Sequence, residues 1–255
     1  MTREPRASAA PPDFSPLAAS YARGRPRYPE ELFDFLSGLV DRHDLAWDAA
    51  TGNGQAAVSL ARHFTRVVAT DISAEQIRHA TPHRQIEYRA APSDRSGVAP
   101  ASVDLVTVAT ALHWFDLPSF FAEVRRVVRP GGVLAAWSYH AGTCDPPFDG
   151  LLHHFYWNVV RPYFAPGAAL VDDLYETIDF PGEKIEPRPF RVTADWTLEQ
   201  TLDYLRSWSA VATYREQRGV DPVEEFAPEL ARLWDDPRER RPFCMPIALH
   251  VRRMP

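Results

Sequence analysis

The sequence contains little cysteine and lacks any long apolar run. Its two cysteines, Cys144 and Cys244, make no disulfide framework, and neither lies in a C-x-x-C pair or beside a ligand-like partner. We therefore expect reduced thiols in a cytoplasmic protein, with no metal site. No apolar run approaches the roughly 20 residues that a membrane-spanning helix needs, and the first residues lack the apolar segment of a secretory signal.

The charge balance argues against a nucleic-acid surface. The formal net charge is −6, whereas phosphate binding depends on clustered lysine and arginine. Lys184 is the only lysine in the chain. We expect a small-molecule partner, no nucleic acid or membrane, and a monomer or homodimer.

Five apolar runs typical of buried strands alternate with helical patterns. These runs cover residues 44–49, 66–71, 86–91, 103–110 and 132–139. Strands that are apolar on both faces and alternate with helices predict an α/β fold with a doubly wound, Rossmann-like, mostly parallel sheet. Ligands of such sheets bind beyond the carboxyl ends of the strands.

The remaining segments predict how the chain is organised around that sheet. Residues 1–12 are expected to be a disordered tail, and 13–255 a single domain with its ligand-binding core at 40–140. Aromatic-rich helical patterns and proline-edged strand patterns fill residues 141–255. We expect them to complete the sheet and, together with N-terminal helices, to cover the active site.

A glycine turn after the first strand is the strongest local signal. The string "GNGQAA", residues 52–57, satisfies the dinucleotide fingerprint G-x-G-x-x-A, and Asp71 lies 19 residues after Gly52, where a ribose-binding acid is expected. This string alone leaves a nicotinamide or flavin cofactor open. Asp48, however, precedes the turn, and a carboxylate there would repel a pyrophosphate and suits a positively charged cofactor better.

Further motifs identify a family. The landmarks are "YARGRPRYP", "WDAATGNGQAA", "VVATDIS", "SVDLVTVATALHWFD", "VVRPGGVLAAWSY" and "LRSWSAVATYRE", which extend from Tyr21 to about Glu216. With them the chain resembles the class I S-adenosylmethionine-dependent methyltransferases. It looks most like the small-molecule branch that contains trans-aconitate methyltransferase and the cantharidin-resistance methyltransferase. Ala50 departs from the family's D-x-G-x-G-x-G motif, which commonly has glycine there.

The resemblance implies S-adenosylmethionine as the cofactor and a set of residues that bind it. Asp71 is expected to accept hydrogen bonds from the ribose hydroxyls, Ile72 to pack on the adenine, and Gly52 to let the backbone approach. Asp48 is expected mainly to orient the turn. The expected cofactor-binding set is Tyr21, Arg25, Asp48, Ala50, Gly52, Gly54, Asp71, Ile72, Asp94 and Ala111.

The resemblance also implies the reacting end of the site. His113 and Trp114 follow the fourth strand and are expected to face the substrate, with Tyr139 and Trp208 as further substrate contacts. The implied reaction is O-methylation, with C- or N-methylation of another metabolite as the nearest rival. A carboxylic acid would need no base, whereas a hydroxyl would need one, for which His113 is the candidate. The Asn/Asp-Pro-Pro-Tyr/Phe motif of planar-nitrogen methylation is replaced by "ATAL".

Two other classes of function stay open at this stage. A nicotinamide-dependent oxidoreductase would need a Tyr–Lys pair or a similar proton donor, and Lys184 stands alone in the other half of the chain. A catalytically inactive nucleoside-binding module would need a damaged site. Ala50 hints at that, although Gly52, Gly54 and Asp71 are intact.

Overall fold

A computed structural model of the protein describes residues 26–255, and its centre is a sheet of parallel strands. These five strands lie side by side in the order β3-β2-β1-β4-β5. They are β1 (Leu45–Ala49), β2 (Arg66–Asp71), β3 (Ile86–Ala90), β4 (Val103–Ala109) and β5 (Val128–Ser138). All four neighbouring pairs are parallel, so their carboxyl ends meet along one edge, as the sequence predicts.

Three further strands complete the sheet beyond β5. They are β6 (Glu183–Ile185), β7 (Phe190–Trp196) and β8 (Arg241–Arg253). The second half of β8 lies antiparallel between β5 and β6, and its first half pairs with β7. The segments after residue 141 therefore add strands to the sheet.

Helices cover both faces of the sheet. They are α1 (Glu30–Ser37), α2 (Gln55–Leu60), α3 (Ala74–Arg78), α4 (Leu117–Val127), α5 (Pro146–His154), α6 (Ala168–Asp172), α7 (Leu198–Arg206), α8 (Ser209–Arg218) and α9 (Pro222–Ala231). A π-helical turn (Phe155–Val160) continues α5, and 3₁₀ turns occupy Leu112–Trp114 and Arg161–Tyr163. Within residues 26–255, no helix is long and apolar enough to cross a membrane.

Two hydrophobic clusters, one on each face, hold these layers together. One contains Phe33 of α1, Leu60 of α2, Trp137 of β5 and the apolar residues of α5, α7 and α9. The other packs Trp47 of β1 against Phe120 of α4. Because both faces of the central strands are buried, the doubly wound α/β prediction is confirmed.

One boundary prediction is wrong in an informative way. The sequence predicts that "RPGG", residues 129–132, closes the preceding helix and that a strand starts at 132. In the structure β5 already begins at Val128. The N–H of Gly131 donates to the carbonyl of Met254 (3.0 Å), and the N–H of Met254 to that of Gly132 (2.8 Å). Hydrogen bonds with Met254, which is distant in sequence, thus hold residues 129–132 in an extended conformation.

Candidate functional site

A cavity of about 770 Å³ opens at the carboxyl ends of the parallel strands. Its floor is formed where β1, β2 and β4 end, and its far wall comes from α5, the π-helical turn and the start of α8. This is the edge of a doubly wound sheet at which ligands bind. We therefore build the site from the end of each strand in turn.

The turn after β1 forms one side of the cavity. Ala50 has φ +54° and Gly52 has φ +56°, so the chain reverses through left-handed conformations. A Cβ on Gly52 would meet nothing nearer than the side-chain oxygen of Gln76, at 4.0 Å. Because Ala50, Thr51 and Gly52 all line the cavity, the backbone at Gly52 is open to a ligand.

Asp48 holds this turn from below. Its side chain is fully buried, and its two oxygens accept hydrogen bonds from the hydroxyls of Thr51 (2.5 Å) and Thr107 (2.7 Å). Burial raises the pKa of Asp48 to about 6, against the lowering effect of these two hydroxyls. Asp48 is not among the cavity-lining residues, so its place in the cofactor-binding set is corrected to supporting the turn.

Asp71, at the end of β2, is tied to the same turn. Oδ2 accepts a hydrogen bond from the N–H of Gly52 (2.9 Å), and Oδ1 accepts one from the N–H of Ser73 (2.8 Å). Burial raises the pKa of this carboxyl, although both backbone donors lower it. Each carboxylate oxygen keeps a further lone pair, and Asp71 lines the cavity.

An unusually exposed apolar residue follows Asp71. Ile72 is 60% exposed, although it lines the cavity. The loop from Ala91 to Asp94, after β3, lines the cavity as well. The exposed face of Ile72 therefore offers apolar area that a bound planar group would cover.

Gly54 has a different role from the predicted one. It precedes α2 with φ +88°, and a Cβ there would collide with the ring and hydroxyl of Tyr88. Gly54 does not line the cavity. Its place in the cofactor-binding set is therefore corrected: glycine is needed here for the helix start and for packing against Tyr88.

The end of β4 leads into the opposite part of the cavity. Thr110 has φ +55°, which is a strained conformation for a β-branched residue. Its N–H donates to the carbonyl of Trp137 (2.8 Å), and its hydroxyl lies 3.1 Å from that of Tyr28. This kink directs Ala111, His113 and Trp114 to the cavity, and all three line it.

His113 is held by a residue that no sequence motif distinguishes. Nδ1 of His113 lies 3.0 Å from the hydroxyl oxygen of Tyr175, which is fully buried. Leu174 and Tyr175 have φ +51° and +65°. His250 of β8 donates from Nε2 to the carbonyl of Leu174 (2.7 Å). Leu174 and Tyr175 are thus anchored to β8, and the phenol of Tyr175 reaches His113.

Aromatic side chains make up much of the cavity wall. Those that line the cavity are Tyr28, Trp114, Phe115, Tyr139, Tyr156, Trp157, Phe164, Tyr204 and Trp208. Tyr139 and Trp208, both expected at the substrate, are almost completely buried within this wall. No motif distinguishes Tyr156 or Tyr204 from ordinary core residues, so sequence reasoning missed them.

The chain is similar to known methyltransferases. A family model described as a methyltransferase domain matches residues 47–136. A Dictyostelium discoideum protein named "Putative methyltransferase" is 32% identical over 225 residues, covering 87% of this chain and 86% of that protein. A Saccharomyces cerevisiae protein named "Probable S-adenosylmethionine-dependent methyltransferase" is 26% identical over 263 residues, covering 85% and 87%.

A solved structure agrees over nearly the whole fold. It comes from Anaeromyxobacter dehalogenans, is described as a "Putative Type II Methyltransferase", and is 39% identical with a TM-score of 0.83. The match covers 91% of this chain and 99% of that one. The chain belongs to the S-adenosylmethionine-dependent methyltransferases.

The structure of this methyltransferase brings together most of the residues that the sequence selected. The ones that line the cavity are Ala50, Gly52, Asp71, Ile72, Asp94, Ala111, His113, Trp114, Tyr139 and Trp208. Asp48 and Gly54 lie behind the lining. Tyr21 and Arg25 fall outside the described residues.

Proposed function

We propose that this methyltransferase transfers a methyl group from S-adenosylmethionine to an oxygen of a small molecule. One observation carries the proposal: the cavity is continuous from the Asp71–Ile72 end to the His113 end. A cofactor at the first end and an acceptor at the second would share one space. Alignment of the two reactants and exclusion of water are what the protein must supply in such a displacement.

The residues at the first end fit the cofactor's chemistry. The lone pairs of Asp71 suit ribose hydroxyls, because a carboxylate accepts two neighbouring donors. The exposed face of Ile72 suits the adenine, with Asp94 on the facing loop. The open space at Gly52 suits the remaining ribose and methionyl part. Gln76 also lines this end, and its buried side-chain oxygen has no hydrogen-bond partner among the described residues.

Bound S-adenosylmethionine supplies an electrophilic methyl group on a sulfonium, which carries the difficult chemistry. The chain's own task at the second end is to place the acceptor oxygen and to remove its proton where it has one. With Nδ1 directed at Tyr175, His113 would exchange a proton with the acceptor through Nε2. A carboxylate acceptor would need no such step.

We also propose the branch of the family to which the chain belongs and its location in the cell. We propose that the chain belongs to the small-molecule branch, because its motifs resemble those of trans-aconitate methyltransferase. A carboxylic acid is the acceptor of that enzyme and not a fixed property of the branch. Arg25, which lies outside the described residues, would pair with the carboxylate of the cofactor's methionyl part. Cys144 and Cys244 are free thiols, and we propose a cytoplasmic location and a single domain over 13–255.

Calorimetric titration with S-adenosylhomocysteine, and with NAD and NADP in parallel, tests the cofactor. We expect saturable binding of S-adenosylhomocysteine alone. Asp71→Ala should weaken it by about 1.5–3 kcal/mol for each charge-assisted bond lost. Asp41→Ala, at an exposed carboxylate outside the cavity, is the matched control. Equal affinity in a folded Asp71→Ala variant, or binding of a dinucleotide, would contradict the proposal.

A further inference from the structure

Five aromatic side chains line the acceptor end of the cavity. We use the name aromatic chamber for Tyr156, Trp157, Phe164, Tyr204 and Trp208. Three of its ring contacts are edge to face, whereas Phe164 packs tilted on Tyr156 (41°) and Trp208 (42°). Tyr156 meets Trp157 at 83° and Trp208 at 80°, with centroids 5.0 and 5.7 Å apart. Tyr204 meets Trp208 at 87° and 5.6 Å. Such packing restricts the orientation of the ring planes.

Hydrogen bonds fix the orientation of Tyr156 in this chamber. Its hydroxyl donates to Oδ1 of Asp172 (2.5 Å), and Arg161 donates to Oδ2 through Nε (2.7 Å). Burial, reinforced by Asp172, raises the pKa of the Tyr156 hydroxyl, so it stays protonated at neutral pH. The polar groups behind the ring are thus engaged with one another and hold a rigid wall.

The charges around the chamber disfavour an anionic acceptor. Asp149 and Asp172 both line the cavity, and among the described lining residues there is no arginine or lysine. Arg161 offsets the charge of Asp172 (2.6 Å from Nη2), but Asp149 has only the N–H of Cys144 as a described donor (2.8 Å). A carboxylate placed close to Asp149 would be repelled by it.

One face of the chamber is available for stacking. Trp157 is 46% exposed, while the other four rings are buried or half-buried. It lies in the π-helical turn Phe155–Val160, and this wider turn lets the consecutive residues Tyr156 and Trp157 both line the cavity. Local π-helical turns occur frequently at functional sites.

From the aromatic chamber and its charges we propose that the acceptor is an uncharged, planar aromatic compound that carries a ring hydroxyl. It stacks on Trp157 within the chamber and directs its hydroxyl to His113. The hydroxyl proton passes to Nε2 of His113 as the oxygen forms a bond to the methyl carbon. The carbon–sulfur bond breaks with its electron pair on sulfur, leaving a methyl ether and neutral S-adenosylhomocysteine. This inference rests on the proposed function.

Matched acceptors test the proposal. The probes are 2-naphthol, 2-naphthoate and the aliphatic trans-aconitate, each incubated with the full chain and S-adenosylmethionine, with methylated product measured by mass spectrometry. We expect kcat/KM for 2-naphthol to exceed that for either acid by at least about tenfold, and 2-naphthol to bind the protein loaded with S-adenosylhomocysteine. Preference for either acid, or no binding of 2-naphthol to the loaded protein, would overturn it.

Variants separate this proposal from the cofactor site. Trp157→Ala should lower kcat/KM for 2-naphthol roughly three- to tenfold, mainly through KM, since one stacking contact is lost. Affinity for S-adenosylhomocysteine should stay within about twofold. Val220→Ala, at an exposed apolar residue outside the cavity, should change neither. An unchanged KM in Trp157→Ala would overturn the aromatic acceptor, whereas failure of the wild type to bind S-adenosylhomocysteine would overturn the proposed function itself.

Discussion

Nδ1 of His113 and the hydroxyl oxygen of Tyr175 lie 3.0 Å apart. The direction of this hydrogen bond is coupled to which ring nitrogen of His113 carries the proton. If the phenol donates, neutral His113 carries its proton on Nε2 and is a donor to the cavity. If Nδ1–H donates to the phenol oxygen, Nε2 is unprotonated and can accept a proton. A base at His113 requires the second arrangement.

Tyr175→Phe therefore tests whether His113 is positioned as a base. Loss of the hydroxyl removes one orienting hydrogen bond, so we expect kcat for a hydroxyl acceptor to fall roughly three- to tenfold. The acidic limb of the pH–rate profile should shift, while affinity for S-adenosylhomocysteine is kept. Tyr163→Phe, outside the cavity lining, is the control. A pH–rate profile identical to that of the wild type would remove Tyr175 from this role.

Ala50→Gly should stabilise the protein. A left-handed conformation costs an L-residue about 1–2 kcal/mol, and glycine loses about 0.5–1 kcal/mol more on folding than alanine does. At φ +54° the net gain should be about 0.5–1 kcal/mol, or roughly 1–4 °C in Tm. Thermal unfolding measures it, and a lower Tm would show that the alanine methyl contributes packing that outweighs the strain.

Gly52→Ala and Gly54→Ala should fail in different ways. The Cβ at Gly52 enters the open cavity, so affinity for S-adenosylhomocysteine should fall about tenfold or more, with a stability loss of about 1 kcal/mol. The Cβ at Gly54 collides with Tyr88, so stability should fall by about 2 kcal/mol or more. Calorimetric titration and urea unfolding separate the two effects. Loss of affinity only at Gly54 would contradict the assigned geometry.

Asp48 should make the protein less stable as pH rises. Its pKa is about 6 in the folded state, against about 3.8 for an exposed aspartate, so between these values the folded state binds more protons than the unfolded state. The free energy of unfolding therefore falls with rising pH across this window, by about 3 kcal/mol in total, and is flat above it.

The variant Asp48→Asn removes the contribution of Asp48 to the pH dependence of the free energy of unfolding. The free energy of unfolding of the variant, minus that of the wild type, should increase by about 2–2.5 kcal/mol between pH 4 and pH 7. Asp41→Asn, at an exposed position, is the control for the change of residue type. A difference that does not vary with pH would show that Asp48 is not held in a desolvated site.

The strands and their ends were predictable, while the far wall was not. Runs such as Val67–Asp71 are apolar until an acid ends them, so their burial and direction place Asp71 at the ligand edge. His113 and Trp114 follow β4 in the same way. Local sequence gives the positions of strand ends because period and composition are local properties.

The remaining features depend on contacts between distant segments. Tyr175 reaches His113 only because β8 holds Leu174 through His250. Tyr156 lines the cavity because a π-helical turn interrupts the 3.6-residue period of the helix, so the apolar pattern in the sequence does not show which way its side chain points. Gly54 was placed too close to the ligand, since spacing locates a turn but does not show which of its atoms point inward.

A crystal structure of the protein with S-adenosylhomocysteine tests the central claim most directly. The decisive measurement is the distance from the carboxylate oxygens of Asp71 to the ribose hydroxyls. We predict about 2.5–3.0 Å, with the adenine against Ile72 and the sulfur directed at the aromatic chamber. A nucleoside bound elsewhere, or in this cavity with its ribose away from Asp71, would contradict the account.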